Sequence, residues 1–158
     1  MLLLGSLTRP ELIFSGLKAA DRSELLRSLS DRVAGLGLVR DGGELFRKLW
    51  EREQLGSTGI GSGIAIPHCK VAGLRHEIVA VGLVSGGEGE KEGVDFGAAD
   101  GKPVRLVFLV ISPSDAPAQH LQVLAAISRW IKAGGHAERI LELSDPKAIH
   151  QFLQQESP

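Results

Sequence analysis

Two stretches, Glu77 to Ser85 (EIVAVGLVS) and Val104 to Ser112 (VRLVFLVIS), constrain the fold more than any other feature of the chain. Both are apolar, β-branched runs with little alternation. A strand with one wet face alternates, because successive side chains point to opposite sides; a run apolar at nearly every position is covered on both. The two stretches are therefore expected centrally in a sheet, with a covering layer on each face.

Helices are available to supply those layers. Asp21-Arg22-Ser23-Glu24 places an N-cap residue three positions before an acid, and Leu25, Leu26, Leu29, Val33 and Leu36 follow at helical spacing, which predicts a helix ending near Gly35 or Gly37. Asp41-Gly42-Gly43-Glu44 repeats the signal ahead of Leu45, Phe46, Leu49 and Trp50, and Gly56 ends the segment. After the second apolar run, Leu121, Leu124, Ala125, Ile127 and Ser128 keep a 3.6-residue period from Pro117 to Gly134-Gly135. Ala137 to Leu143, and Asp145-Pro146 running to about Gln154, predict two last helices. Helices thus bracket the strands in sequence, arguing for a sheet covered on both faces. Asp100-Gly101 reads as a turn pairing Val94-Asp95-Phe96 with the following strand, and Gly86 to Gly93 as a solvated Gly and Glu/Lys loop.

A length of 158 residues fits one domain spanning 1–158, and a charged fraction of 23% is that of a globular chain. Eighteen basic against nineteen acidic residues leave no electrostatic footprint for nucleic acid or an anionic membrane. Leu2, Leu3 and Leu4 are too short a run for a signal peptide, and nothing approaches the ~18 consecutive apolar residues of a membrane helix, so no membrane insertion is expected. The lone cysteine, Cys69, makes no internal disulfide and fits a reducing compartment; the expected location is cytoplasmic.

The chemistry is expected between Gly56 and His68. Gly56 to Gly63 holds four glycines, two serines and a threonine, so the backbone can approach an anion closely and offer N–H and hydroxyl donors. Ile64-Ala65-Ile66 reads as a short strand stopped by Pro67, which fixes its own φ and biases Ile66 towards an extended conformation. His68 is thereby held at a strand end beside the loop, where a fixed imidazole next to anion donors can act as a nucleophile. No Walker loop is present, and the glycines do not match the dinucleotide fingerprint, so no nucleotide cofactor is implied. No metal is implied either, since Cys69 adjoins His68 and no zinc-ligand spacing occurs. Cys69 itself reads as a small buried residue beside the strand.

The segment Arg52-Glu53-Gln54-Leu55-Gly56-Ser57-Thr58-Gly59-Ile60-Gly61-Ser62-Gly63-Ile64-Ala65-Ile66-Pro67-His68 resembles the active-site signature of phosphotransferase-system EIIA domains of the mannitol/fructose type, closest to their nitrogen-regulatory branch. The resemblance continues through Val94-Asp95-Phe96, Asp100-Gly101-Lys102-Pro103-Val104, His120-Leu121 and Ile127-Ser128-Arg129. It implies an α/β fold, a mixed and mostly parallel β-sheet flanked by helices on both faces, in agreement with the strands and helices read above. It also implies that His68 is the histidine phosphorylated on Nε2, that His120 is a second histidine near it, and that Arg52 lies close to the phosphoryl group. On their own, His120 reads as a helix-start or core histidine and Arg52 as a solvated charge. His76, His136 and His150 match nothing in the family pattern and read as surface or structural residues.

The implied function is that of a phosphoryl carrier charged by an HPr-like phosphocarrier protein, with regulatory target proteins bound according to phosphorylation state. The alternative is a sugar-specific EIIA component passing the group to an EIIB for carbohydrate uptake. A third reading is a binding module whose site is no longer used. Phosphoryl transfer needs positioning and charge stabilisation, and Arg52, His120, Ser57, Thr58 and the amides of the loop through Gly59 and Gly61 are the expected donors to the phosphoryl oxygens. The imidazole needs a hydrogen bond at its other nitrogen, whose partner the sequence does not identify. Around the site a shallow, partly apolar protein-docking rim is expected, with Ile60 and Ile64 as candidates. Two departures from the family pattern stand out: Cys69 where glycine is usual, which adds a side chain and possible redox sensitivity next to the nucleophile, and the length and charge of the Gly86 to Gly93 loop.

Overall fold

The computed structural model describes residues 4–85 and 93–155; the Gly86 to Gly93 loop falls, apart from Gly93, outside them. Among the described residues the strands are β1 (Ile13–Leu17), β2 (Gly59–Gly61), β3 (Ile64–Ala65), β4 (His68–Val71), β5 (Ile78–Val84) and β6 (Leu106–Pro113). The helices are α1 (Arg22–Gly35), α2 (Gly42–Gln54), α3 (Pro117–Lys132), α4 (His136–Leu143) and α5 (Pro146–Gln155). The expected helix starts are in place: the Asp21 carboxylate accepts from the Glu24 amide, Asp41 from those of Gly43 and Glu44, and Asp145 from that of Ala148. Each such cap is worth about 1 kcal/mol.

The sheet runs β1-β5-β6-β3-β2, with β4 also paired to β6. β5 and β6 are antiparallel to each other, whereas β1 on β5, and β3 and β4 on β6, are parallel, and β2 closes an antiparallel hairpin onto β3. The sheet is therefore mixed and mostly parallel, and β5 and β6 are its two long interior strands.

Their unbroken apolar runs are explained by two cores. Ile78, Ala80 and Val84 of β5 with Val107, Leu109 and Ile111 of β6 pack under α1 and α2, against Leu25, Leu26, Leu29, Leu45 and Leu49. The intervening Val79, Val81 and Leu83, with Leu106, Phe108 and Val110, pack under α3, α4 and α5, against Val123, Ile127, Trp130, Ile140 and Ile149. Gly82, the missing member of the first series, makes room for a close approach: a Cβ there would lie 3.0 Å from Leu17 Cδ1. Val94 bridges Val104 in the antiparallel sense expected of the Asp100-Gly101 turn.

β3 and β4 are one strand with an interruption. Ile64 and Ala65 lie opposite Leu106 and Val107, and His68 to Val71 opposite Val110 to Pro113, with the same offset throughout. Between the two halves Pro67 has no N–H to give β6, although its carbonyl accepts from the Val110 amide at 2.9 Å, and the Ile66 amide faces the other edge, donating to the Thr58 carbonyl. The strand thus extends beyond Pro67, where the sequence reading ends it, and His68 opens its second half instead of closing its first. β1, which the sequence did not announce, is an edge strand with a register shift between Phe14 and Leu17 and Gly16 at φ +69°. A bulge of that kind breaks the period on which strand recognition depends.

Candidate functional site

His68 is the first residue of β4 and half-buried. It lies opposite Val110, whose side chain belongs to the core beneath α3, so the imidazole is on the α3 side of the sheet. Its Nδ1 is 2.7 Å from the Ile66 carbonyl oxygen. A carbonyl can only accept, so Nδ1 carries the proton and Nε2 keeps its lone pair. The second contact requires the same tautomer: Arg52 Nε donates to His68 Nε2 across 3.3 Å. The carbonyl two residues back is thus the partner that the sequence left unnamed; because Pro67 turns its own carbonyl to the Val110 amide of β6, that of Ile66 faces the other edge of the strand, towards the ring.

Arg52 belongs to the last turn of α2 and is tied there, its Nη1 donating to the Gly56 carbonyl at 2.8 Å. α2 packs on the opposite face, but among the described residues β4 has no strand on its outer edge, so the end of α2 can meet the imidazole around that edge. His120, in the first turn of α3 and 6% exposed, has its ring centroid 5.5 Å from that of His68. Its Nδ1 lies 2.7 Å from the hydroxyl of Ser112. His68, Arg52 and His120, 68 residues apart in sequence at the extremes, therefore converge on one spot.

Both rings are held below the ordinary imidazole range. For His68 the main cause is burial, with Arg52 acting in the same direction and the Ile66 hydrogen bond and Glu53 opposing. For His120 it is burial again, followed by the charges of His68 and Lys70. Near neutral pH both rings are accordingly uncharged, and His68 offers a free electron pair at Nε2.

The loop is fixed from behind by a carboxylate that sequence reading passed over. Glu53 is buried and accepts from both the amide and the hydroxyl of Thr58, while Arg22 Nη1 lies 3.9 Å from it. Its signal was the helical spacing Leu45, Leu49, Glu53, which places it on the buried face of α2. Ser57 donates to the Phe96 carbonyl and accepts from the Gly59 amide at 3.0 Å. Gly59 lies close to Phe96 and Ala98, and a Cβ would be 3.2 Å from each of their Cβ atoms. Gly61 adopts φ +92°, and Ser62 follows at +57° with its amide held by Asp100 at 2.8 Å. The hydroxyls of Ser57 and Thr58 thus point into the protein, where they brace the loop.

Of the two residues expected on an apolar rim, only one is exposed. Ile60 is 52% exposed, whereas Ile64 lies in the core; Leu55, 84% exposed at the end of α2, and Leu121, 67% exposed next to His120 in sequence, are further exposed apolar side chains. Cys69 points to the opposite face, where burial pushes its thiol up to about 12 against a weaker pull from Lys48. Burial thus favours the protonated thiol near neutral pH, which works against reactivity at this position. His76 is exposed, His136 lies against the Trp130 ring at a tilt of 37°, and His150 bonds the Gly5 carbonyl. A cavity of about 460 Å³ between the start of α2 and the β4–β5 turn is lined by none of the three converging residues. No helix among the described residues is long and apolar enough to cross a membrane.

A two-faced α/β sheet thus presents a neutral histidine, an arginine and a second histidine together at one edge. Residues 6–156 match the family described as phosphoenolpyruvate-dependent sugar phosphotransferase system, EIIA 2, and the chain belongs to that family. Among its relatives, a nitrogen regulatory protein of Bradyrhizobium diazoefficiens is 35% identical over 93% of this chain and 92% of its own length. A fructose-specific EIIA component of Haloferax volcanii is 31% identical, covering 95% and 94% of the two chains. The crystal structure of nitrogen regulatory protein IIA-Ntr from Neisseria meningitidis superposes with a TM-score of 0.81 at 27% identity, covering 95% of this chain and 98% of that one.

Proposed function

We propose that the chain, as a single EIIA domain over 1–158, is a cytoplasmic phosphoryl carrier of the nitrogen-regulatory kind, charged on His68 Nε2 by an HPr-like phosphohistidine donor. The observation that carries this reading is the Nδ1–H to Ile66 carbonyl hydrogen bond, which reserves the lone pair of Nε2 for attack. In the transfer, that pair forms a new N–P bond while the P–N bond of the donor breaks and its electrons return to the donor's ring nitrogen. The Nδ1 proton of His68 stays where it is. Arg52, which occupies the lone pair in the resting protein, shifts its donors to the incoming phosphoryl oxygens, and His120 faces the same group. Gly59 and Gly61, which carry no side chain, allow the loop backbone to approach the phosphoryl group. Ser57 and Thr58 hold that loop in place, and either hydroxyl reaches a phosphoryl oxygen only by leaving Phe96 or Glu53.

Leu55, Ile60 and Leu121 form the apolar part of the docking surface for the donor, and afterwards for a regulatory target that reads the phosphorylation state. The similarity to a fructose-specific EIIA component supports a second reading, in which the acceptor is an EIIB of a sugar transporter.

Incubation with phosphoenolpyruvate and the two general phosphotransfer proteins of the source organism tests the proposal. One acid-labile phosphoryl group is expected on the wild type by intact mass and none on His68→Ala. Labelling retained in that variant would place the nucleophile elsewhere. Subsequent rapid loss of the group to a sugar-specific EIIB would favour the second reading.

A further inference from the structure

Ser112, the penultimate residue of an otherwise apolar strand, is completely buried and belongs to the α3 side of β6, next in the alternation after Val110. An aliphatic side chain would fill that place, and burying a hydroxyl costs about 1–3 kcal/mol unless it finds a partner. Its partner is His120 Nδ1, at 2.7 Å. Which of the two atoms donates decides what His120 can do. A neutral imidazole has one donor and one acceptor. If Nδ1 carried the proton, the hydroxyl would accept, and its own proton would be left buried with no acceptor, since no other hydrogen bond of Ser112 Oγ occurs among the described residues. If the hydroxyl donates to Nδ1, both groups are satisfied and the ring proton sits on Nε2.

We infer that Ser112 is a positioning residue whose hydroxyl donates to His120 Nδ1, locking His120 as the Nε2–H tautomer so that it presents a hydrogen-bond donor, not a lone pair, beside His68. For its consequence this rests on the phosphoryl-carrier reading: a donor at that place stabilises phosphoryl oxygens, whereas a lone pair would repel them. The two histidines are thereby set in opposite senses. A backbone carbonyl keeps the proton of His68 on Nδ1, and a side-chain hydroxyl keeps that of His120 on Nε2.

Long-range 1H–15N NMR of the imidazole nitrogens in the full chain reads the tautomers directly. In the wild type, His120 is expected as Nε2–H and His68 as Nδ1–H. In folded Ser112→Ala, His120 is expected to become a tautomer mixture while His68 keeps its own. The rate of phosphoryl acceptance should fall roughly tenfold, with Ser112→Thr, which retains the hydroxyl, recovering most of it. His120 found as Nδ1–H in the wild type, or an unchanged tautomer in Ser112→Ala, overturns the inference. So does a changed tautomer with an unchanged transfer rate. If the wild type accepts no phosphoryl group at all, the carrier reading fails, while the wild-type and Ser112→Ala tautomers still decide whether Ser112 positions His120.

Discussion

At His68 the sequence needs a ring that is neutral, oriented and reachable, and three different causes provide these: burial lowers its proton affinity, the Ile66 carbonyl holds Nδ1–H, and the open edge of β4 leaves Nε2 accessible. The first has a measurable consequence for stability. Because His68 and His120 bind a proton less readily folded than at the ordinary value of 6.5, protonation favours the unfolded chain. Their contribution is complete above that value and is lost as pH falls through it. The urea midpoint is expected to drop between about pH 7 and about pH 5, and to drop less in a His68→Gln, His120→Gln double variant. Equal slopes would show that other groups dominate. The neighbouring Cys69 behaves oppositely to a reactive thiol: with its thiol pushed up to about 12, disulfide reagents at mildly alkaline pH should modify the native protein ~100-fold or more slowly than the urea-unfolded chain. Comparable rates would mean that the strand opens readily.

At the scale of elements, the Glycine-rich loop is a braced structure whose brace is α2. Glu53→Ala strips Thr58 of the acceptor for both its amide and its hydroxyl, and a loss of about 1–3 kcal/mol in denaturant unfolding is expected. Shift changes in backbone NMR should concentrate between Arg52 and His68 and around Phe96; a loss below ~0.5 kcal/mol would mean that the loop has another anchor. The long elements were legible from residues alone, because capping aspartates and unbroken apolar runs are local signals: Asp21, Asp41 and Asp145 start their helices, and the two β-branched runs are the long interior strands. The short ones were not. β1 hides its period behind Gly16 and a bulge, and β4, with His, Cys and Lys in succession, has the composition of a loop and becomes a strand only because β6 offers it a ladder. The site divides in the same way. His68 and its loop stand together in sequence, whereas Ser112 and the buried role of Glu53 depend on which face of an element meets which neighbour. The outward turn of Leu55 and Leu121, and the inward one of Ile64, likewise needed the assembled sheet.

For the whole molecule, the defining feature is that two cores share the same two strands. Each core contains one tryptophan: Trp50 packs against the first and Trp130 within the second, edge-on to Phe108 at 5.5 Å. Since β5 and β6 cannot lose one covering layer without exposing apolar residues, the layers are expected to unfold together. In Trp50→Phe and in Trp130→Phe the remaining tryptophan fluorescence and the far-ultraviolet circular dichroism should give one midpoint within each variant; separated midpoints would reveal two independently melting halves. The single offset that runs through β3 and β4 carries a further consequence, one of parity. His68 reaches the α3 face because an even number of steps separates it from Ile64, whose side chain lies in the same core. Losing or gaining one residue between them would turn the imidazole under α2 and bring the thiol of Cys69, or the ring of Pro67, to the α3 face in its place. The segment should therefore tolerate exchange of residue types far better than any change in its count, and a length change compatible with function must come in pairs.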